Sequence, residues 1–265
     1  MKNSAKLGST ILISLLSILF RYMLMTNFSL IIPTYREAKN IPELIHRIAC
    51  IPFNSSAFEV ILVDDNSQDG TIEVVHSLRD HHPWLKLIVR QGKRSLSQAV
   101  LEGFQQAQYP ILIVMDADLS HPPEKIPEMV TALSIGNADI VIGSRYTPGG
   151  STEEIWPIYR KFISKLSTQL ARLLLRTHVS DPLSGFLAIR KTTLLAGYPL
   201  EPIGWKIGLE IMVKCSCKKI IEIPICFSQR KHGASKLSAK IAWCYLQHLK
   251  RLAWHKLSVK FYYSE

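Results

Sequence analysis

The chain has 265 residues, enough to bury a full core as one large domain with appendages, and its 47% hydrophobic and 20% charged content is that of a globular protein. Its formal net charge of +11 is unevenly placed: from Lys206 onward twelve Lys and Arg meet only Glu210, Glu222 and Glu265, which reads as a surface for phosphorylated ligand, anionic lipid or nucleic acid, or as a solvated face. Five cysteines, odd in number and without paired spacing, argue against a disulfide framework, and Cys215-x-Cys217 lacks the second pair that a zinc site needs.

Residues 1–25 stand apart as an apolar leader or membrane anchor: "STILISLLSILF" is short and interrupted by Arg21, and Met25 before "TNFSLIIPT" offers a natural start. A signal peptide fits poorly, because no small-residue cleavage site precedes the next strand. Beyond residue 26, short apolar runs alternate with helical ones, the pattern of βαβ units and a mostly parallel central sheet flanked by helices. "FSLIIPT" reads as the first strand, followed by a helix from Asn40 to about Cys50 with Pro42 in its first turn. "FEVILVDD", "LKLIV", "YPILIVMDAD" and "ADIVIGS" read as further strands. "DGTIEVVHSLRD", "SLSQAVLEGFQQA" and a segment begun by Pro122 and Pro123 read as the helices between them, and "GWKIGLEIMVK" as another helix.

Polar residues recur at the carboxyl ends of successive strands: Pro33 to Glu37 after the first, Asp64 and Asp65 after the second, Arg90 and Lys93 after the third, Asp116 and Asp118 after the fourth, Arg145 after the fifth. Ligands of open α/β sheets bind in the crevice outside those ends. Asp116-x-Asp118 suits a hard divalent cation completed by phosphate and water oxygens; alone, it is a weak signal, and a charge pair favoured at a helix N-terminus is the other reading. A diphosphate leaving group calls for such a cation together with Arg or Lys contacts.

Seven motifs in order, "IIPTYREAKNI", "VDDNSQDGT", "MDADLSHPPE", "GSRY", "WPIYRKFIS", "SDPLSGF" and "RKHGASKL", resemble the inverting family 2 glycosyltransferases of GT-A fold, and within them the dolichyl-phosphate or polyprenyl-phosphate mannosyltransferases. The resemblance covers roughly residues 26 to 245 and implies a GT-A catalytic domain over 26–236, transferring mannose from GDP-mannose to a polyprenyl (dolichyl-type) monophosphate by one inverting, metal-dependent displacement. It further implies that Pro33, Tyr35, Glu37, Leu62 and Asp64 hold the nucleoside, with Asp65 beside them. Asp116 and Asp118 would bind Mg²⁺ or Mn²⁺, with Ala117 on the nucleotide and Ser120 near the ion. Arg230 and Lys236 would neutralise the donor diphosphate, and Arg145, Arg160 and Ser164 would grip the acceptor phosphate. Asp181 would orient sugar hydroxyls or the acceptor end as a catalytic group; a turn or N-cap Asp before Pro182 is the alternative. Glu210 is a further candidate to reach the sugar. Ser95-Leu96-Ser97 departs from the Gly-x-Gly of many relatives, and the Gln-x-x-Arg-Trp element of processive synthases is missing, which favours transfer of a single sugar.

The resemblance also implies a lipid substrate, hence a membrane-associated enzyme with its catalytic domain on the cytoplasmic side, and it admits a membrane partner subunit. The basic, amphipathic segment 237–265 sets Trp243, Leu246, Leu249, Leu252 and Ala253 near one face with Lys250, Arg251, His255 and Lys256 interleaved, the pattern of an interfacial helix or of an ordinary domain-closing one. A UDP-sugar donor, glucose for example, is the competing reading within the enzyme class. Nucleic-acid binding is disfavoured, since no RNP, helix-turn-helix or zinc-finger signature appears and acids stand at the centre of the predicted cleft.

Overall fold

A computed structural model describes residues 27–53, 57–136, 138–153, 158–215, 217–231 and 239–262. Residues 1–25 and Lys236 lie outside them.

Seven strands form one sheet in the order β3-β2-β1-β4-β7-β5-β8, namely β1 Phe28–Thr34, β2 Phe58–Asp64, β3 Leu85–Val89, β4 Ile111–Val114, β5 Ile140–Ser144, β7 Leu187–Arg190 and β8 Ile220–Pro224. All neighbours pair in parallel except β7, which runs antiparallel to both β4 and β5. The first strands are apolar almost throughout because helices cover both faces of the sheet. Leu30, Ile32, Val60, Leu62, Ile111 and Ile113 point to one side, against α1 (Ile41–Ala49), α2 (Thr71–Arg79) and α4 (Ile126–Gly136). Ile31, Ile61, Val63, Leu112 and Val114 point to the other, against α3 (Leu96–Gln106), α5 (Ile158–Leu175), α7 (Ile207–Lys214) and α8 (Ala239–Tyr262). A short pair, β6 (Ser151–Thr152) with β9 (Cys226–Phe227), and the one-and-a-half-turn α6 (Lys191–Leu195) complete the described elements.

The first three predicted strands and α1 to α3 fall within two residues of their expected ends. The fourth strand stops at Val114, four residues before Asp118, because the chain must leave the sheet to present its acids; Leu119 takes a left-handed φ of 64° in that exit. A 3-10 turn over Pro123–Lys125 precedes α4. The antiparallel β7 is absent from the predicted pattern, and it has a consequence: its amino-terminal end, and so the loop carrying Asp181, comes to the carboxyl edge of its neighbours.

Helix α8 closes the domain. Leu249 and Leu252 are buried in the core, not turned to an external surface, and the Tyr245 hydroxyl donates to the Ser167 carbonyl of α5 at 2.7 Å. Lys256 Nζ donates to the Leu175 carbonyl at 2.6 Å, and Arg251 donates to the Glu201 carbonyl. Two of the cations expected to face lipid are therefore engaged within the fold. Glu210 is also spent here: fully buried, it accepts from Lys214 at 2.7 Å and pairs with His248 at 3.2 Å, contacts that hold its carboxyl down at about 2 against the opposing effect of burial. It faces α8, with its carboxylate engaged by Lys214, His248 and the Glu201 N–H.

Candidate active site

The carboxyl edge gathers two sets of charges. On the β1/β2/β4 side, Asp64 is fully buried and its carboxylate accepts the Ser67 backbone N–H (2.6 Å) and hydroxyl (2.8 Å), which fixes the turn after β2. Burial raises its pKa despite those bonds. Asp65 accepts from Arg90 and from the Ser95 backbone N–H (2.8 Å), so it braces the loop into α3. Ser95 caps α3 with its hydroxyl; here the departure from Gly-x-Gly has a structural use. Tyr35 lies half-exposed at the mouth with the Arg94 guanidinium 4.4 Å from its ring centroid. Pro33 lies at the buried end of β1. Leu62 and Ala117 are core residues, their side chains packed against the α1 and α4 layer, so Leu62 supports Asp64 from within the strand and turns no side chain to the cleft.

Asp116 is the open member of the acid pair, its side chain 29% exposed, whereas Asp118 is 8% exposed and pairs with Arg230 Nε at 2.7 Å. Ser120 donates its backbone N–H (3.1 Å) and hydroxyl (2.5 Å) to Asp118 Oδ1. Arg230 arrives because the segment after β9 is tied to this loop by a bond from the Ser228 N–H to the Ser120 carbonyl, 3.0 Å. Burial pushes the nearby Glu37 carboxyl up to about 7; the Asn40 hydrogen bond (2.5 Å) opposes this, Asp118 and Asp116 add to it, and Arg230 opposes it. His121, buried between Phe186 and Phe227 at 5.3 Å from each, accepts the Asp116 backbone N–H at 3.3 Å and is kept neutral by burial.

On the β5/β7/β8 side, Arg145 Nε and Nη2 lie 2.7 and 2.8 Å from the two oxygens of Asp181. Asp181 is fully buried, and it also accepts the Arg145 backbone N–H at 3.1 Å. Burial works against the guanidinium, but the bonds and charge of Asp181 more than reverse it and raise its pKa. Both Asp181 oxygens thus accept from Arg145, so the residue fixes that arginine in orientation. Glu222 fixes the Asp181 loop in turn, accepting the Ser180 and Asp181 N–H groups at 2.8 and 3.0 Å. Ser164 of α5 meets the Tyr146 hydroxyl at 3.0 Å, beside Arg145. The backbone of Arg160 is on α5, but its side chain lies outside the described residues. Among the described residues, no three His, Cys, Asp or Glu side chains converge as a self-sufficient metal cage.

The pattern of residues described as Glycosyl transferase family 2 matches positions 29–195. The chain belongs to glycosyl transferase family 2. This family 2 glycosyltransferase is 44% identical over 226 residues to a dolichol-phosphate mannosyltransferase of Pyrococcus furiosus, covering 84% of this chain and 63% of that one, so it spans less than two thirds of the archaeal relative. It is 40% identical over 234 residues to the dolichol-phosphate mannosyltransferase of Saccharomyces cerevisiae, covering 85% and 86%. A crystal structure of glucosyl-3-phosphoglycerate synthase from Mycobacterium tuberculosis with Mn²⁺, UDP-glucose and phosphoglyceric acid superimposes with a TM-score of 0.65 at 16% identity, covering 86% of this chain and 79% of that one. The fold is GT-A.

Three site residues escaped the sequence reading. His121 sits inside a quoted motif, but its partner is a backbone N–H. Glu222 is 41 residues from the Asp181 N–H that it holds. Lys206 looked like one more member of the basic tail; its Nζ donates to the Leu183 carbonyl at 2.7 Å, within the same loop as Asp181. The signal that would have found it is a lysine directly before an apolar helix, where the macrodipole disfavours a cation.

Proposed function

We propose that this glycosyltransferase moves mannose from GDP-mannose to the phosphate of a polyprenyl monophosphate. The observation that carries the reading is the division of the cleft into an acid cluster, Glu37, Asp116 and Asp118 with Arg230, and a separate fixed arginine, Arg145, beside Ser164. An acceptor phosphate oxygen bonds to the sugar anomeric carbon as the bond from that carbon to the donor β-phosphate oxygen breaks, so the configuration inverts and GDP leaves with the electron pair. The acceptor phosphate is largely ionised near neutrality, its second pKa lying at about 6, so no general base has to remove a proton. Arg145, locked in orientation by Asp181, presents its remaining N–H groups to that phosphate. Arg230 leaves Asp118 for the diphosphate when the donor arrives.

Asp116 and Asp118 fit Mg²⁺ or Mn²⁺: they offer hard carboxylate oxygens one residue apart, one of them solvent-facing, and leave the other positions to phosphate and water oxygens. Such an ion supplies charge neutralisation on the leaving diphosphate. Ser120 holds Asp118 in place for it. Pro33, Tyr35, Glu37 and Asp64 would line the nucleoside end, and Lys236 and Arg160 would add charge at the donor and acceptor phosphates.

Among the described residues no helix is long and apolar enough to cross a membrane. The outer faces of α5 and α8 nevertheless expose Phe162, Leu166 and Leu173, and Trp243, Leu246, Trp254 and Leu257. Together with Lys250 these residues fit a membrane surface better than open water, which supports association with a bilayer; the cytoplasmic face and a membrane subunit are further parts of the proposal. The test is a transfer assay with purified full chain, Mg²⁺ or Mn²⁺, a polyprenyl phosphate and a panel of labelled nucleotide sugars. Labelled lipid from GDP-mannose is expected; product from UDP-glucose in its place would overturn the donor assignment.

A further inference from the structure

A cavity of about 300 Å³ opens among the carboxyl-terminal end of α5, helix α7, the start of β8 and Lys256 of α8. Its volume is at the small end of the roughly 300–1,000 Å³ typical of small-molecule sites. None of Glu37, Asp116, Asp118, Arg145 and Arg230 lines it. Leu175, Val179, Leu209 and Met212, all buried, supply apolar wall. Arg176, Lys218 and Lys256, with the His178 imidazole, face one carboxylate, that of Glu222.

Helix capping accounts for one of these cations: Lys256 Nζ donates to the Leu175 carbonyl at 2.6 Å, where the dipole of α5 favours positive charge. It does not account for Arg176 and Lys218, which are exposed side chains on fixed backbone. Arg176 takes a left-handed φ of 45°, and the next N–H, of Thr177, returns to the Arg172 carbonyl at 3.1 Å. The Lys218 N–H is held by the Asp139 carboxylate at 2.9 Å. Burial, then Arg176, lowers the pKa of Lys256, so the gathered cations oppose one another. Glu222 turns its two oxygens to the Ser180 and Asp181 N–H groups. Cations set beside apolar walls suit an anion that carries an apolar body.

We propose that this cavity binds one anionic lipid and that its occupancy steadies the Asp181 loop through Glu222. The phosphate ester head meets Arg176, Lys218 and Lys256, and the first carbons of the chain lie against Leu175, Val179, Leu209 and Met212. A lipid is favoured over a free phosphate because α5 and α8 expose Leu173, Leu174, Trp254 and Leu257 within two residues of Leu175 or Lys256. Glu222 is at once a wall of the cavity and the clasp of the Asp181 loop. An anion that takes up the cations leaves its carboxylate to those two N–H groups.

The experiment titrates full-length wild type and an Arg176→Gln, Lys218→Gln double variant by calorimetry, with denaturant melts to show that the variant folds. The probes are lysophosphatidylglycerol below its micelle concentration, glycerol 3-phosphate, and an uncharged alkyl maltoside of the same chain length. A phosphodiester head has no terminal phosphate for a sugar to join, so this lipid does not stand in for the acceptor. Wild type should bind it at least about tenfold tighter than either control, and the double variant should lose at least about tenfold. In the wild type, the bound lipid should slow hydrogen exchange of the Ser180 and Asp181 amides at least about fivefold. Equal binding by the double variant overturns the site. Glycerol 3-phosphate binding as tightly as the lipid overturns the lipid assignment, and maltoside doing so overturns the anion. Unchanged exchange with lipid bound overturns the link through Glu222. None of these readouts needs sugar transfer, so their failure leaves the functional reading above standing.

Discussion

The two halves of the cleft hold their charges in opposite ways. On the donor side three acids crowd one another, with burial and the aspartates holding Glu37 near 7 and Arg230 lent to Asp118. On the acceptor side the charges are already matched: Asp181 clasps Arg145 in two parallel bonds, and Glu222 fixes the loop beneath. The donor half is arranged to receive a cation, the acceptor half to present one. In the proposed reaction, which brings two anions together, both conditions are needed: a metal arriving with the nucleotide would relieve the first and the acceptor phosphate would use the second.

The largest expected effect breaks the donor half. Asp118→Asn removes one of the three carboxylates from the crowd, and transfer should fall by at least about 1000-fold, together with metal-dependent GDP binding, while the apo fold stays intact. Calorimetry of GDP with and without Mn²⁺ checks it; unchanged metal dependence would mean that Asp118 belongs to Arg230 alone. On the acceptor side Asp181→Asn leaves Arg145 buried without its partner. We expect a loss of about 3 kcal/mol in stability and of about 100-fold in transfer, with GDP affinity unchanged; denaturant melts and the same calorimetry separate the two halves.

The acceptor half was also the less legible one. Strands β1 to β4 and helices α1 to α4 announce themselves because both faces of their strands are covered, so the apolar runs are continuous, while α1 and the turn before α4 begin with prolines and α3 with the Ser95 cap. The D-x-D pair and the acids after β1 and β2 follow at once, each within a few residues of its strand. On the other side the partners are far apart in sequence, 36 residues between Arg145 and Asp181 and 41 between Asp181 and Glu222. The strand that joins them, β7, has four residues and runs against its neighbours. No local pattern encodes such a pairing, so the sequence offers Asp181 as a group at the sugar or acceptor end, or as a turn Asp before Pro182, without its clasp on Arg145. The sequence left α8 open between an interfacial and a domain-closing helix for a similar reason: the helix has two apolar faces, and packing on α5 and α7 makes Leu249 and Leu252 the inner ones.

In the proposed function the outer surface of α8 meets the lipid that carries the acceptor. Trp243→Ser with Trp254→Ser should weaken binding to vesicles of anionic lipid by about tenfold, because both indoles are exposed and their loss removes apolar area without disturbing the core. Sedimentation with vesicles reads it, and unaltered binding would move the lipid contact elsewhere on the chain. Replacing Arg251 or Lys256 is a poorer test, since both also cap carbonyls of the fold.

The smallest effect is a pH dependence in the donor half. Glu37 has a folded value near 7 against 4.5 for a free side chain, so the folded metal-free protein binds the extra proton between those values. Its contribution is most favourable below about 4.5 and worsens as pH rises through 7. Glu37→Gln should therefore raise the apo melting temperature at pH 8 and leave it unchanged at pH 4. An unchanged melting temperature at both would show that the acids are not crowded.

The central claim is that charge handling, without a general base, drives transfer. It is tested most directly by giving the purified enzyme, GDP-mannose and Mn²⁺ either a polyprenyl phosphate or the corresponding polyprenol. The account predicts labelled product from the phosphate and none from the alcohol, with the rate falling as pH drops through the acceptor's second pKa of about 6. Comparable transfer to the free alcohol would contradict it, because a hydroxyl cannot attack without a base.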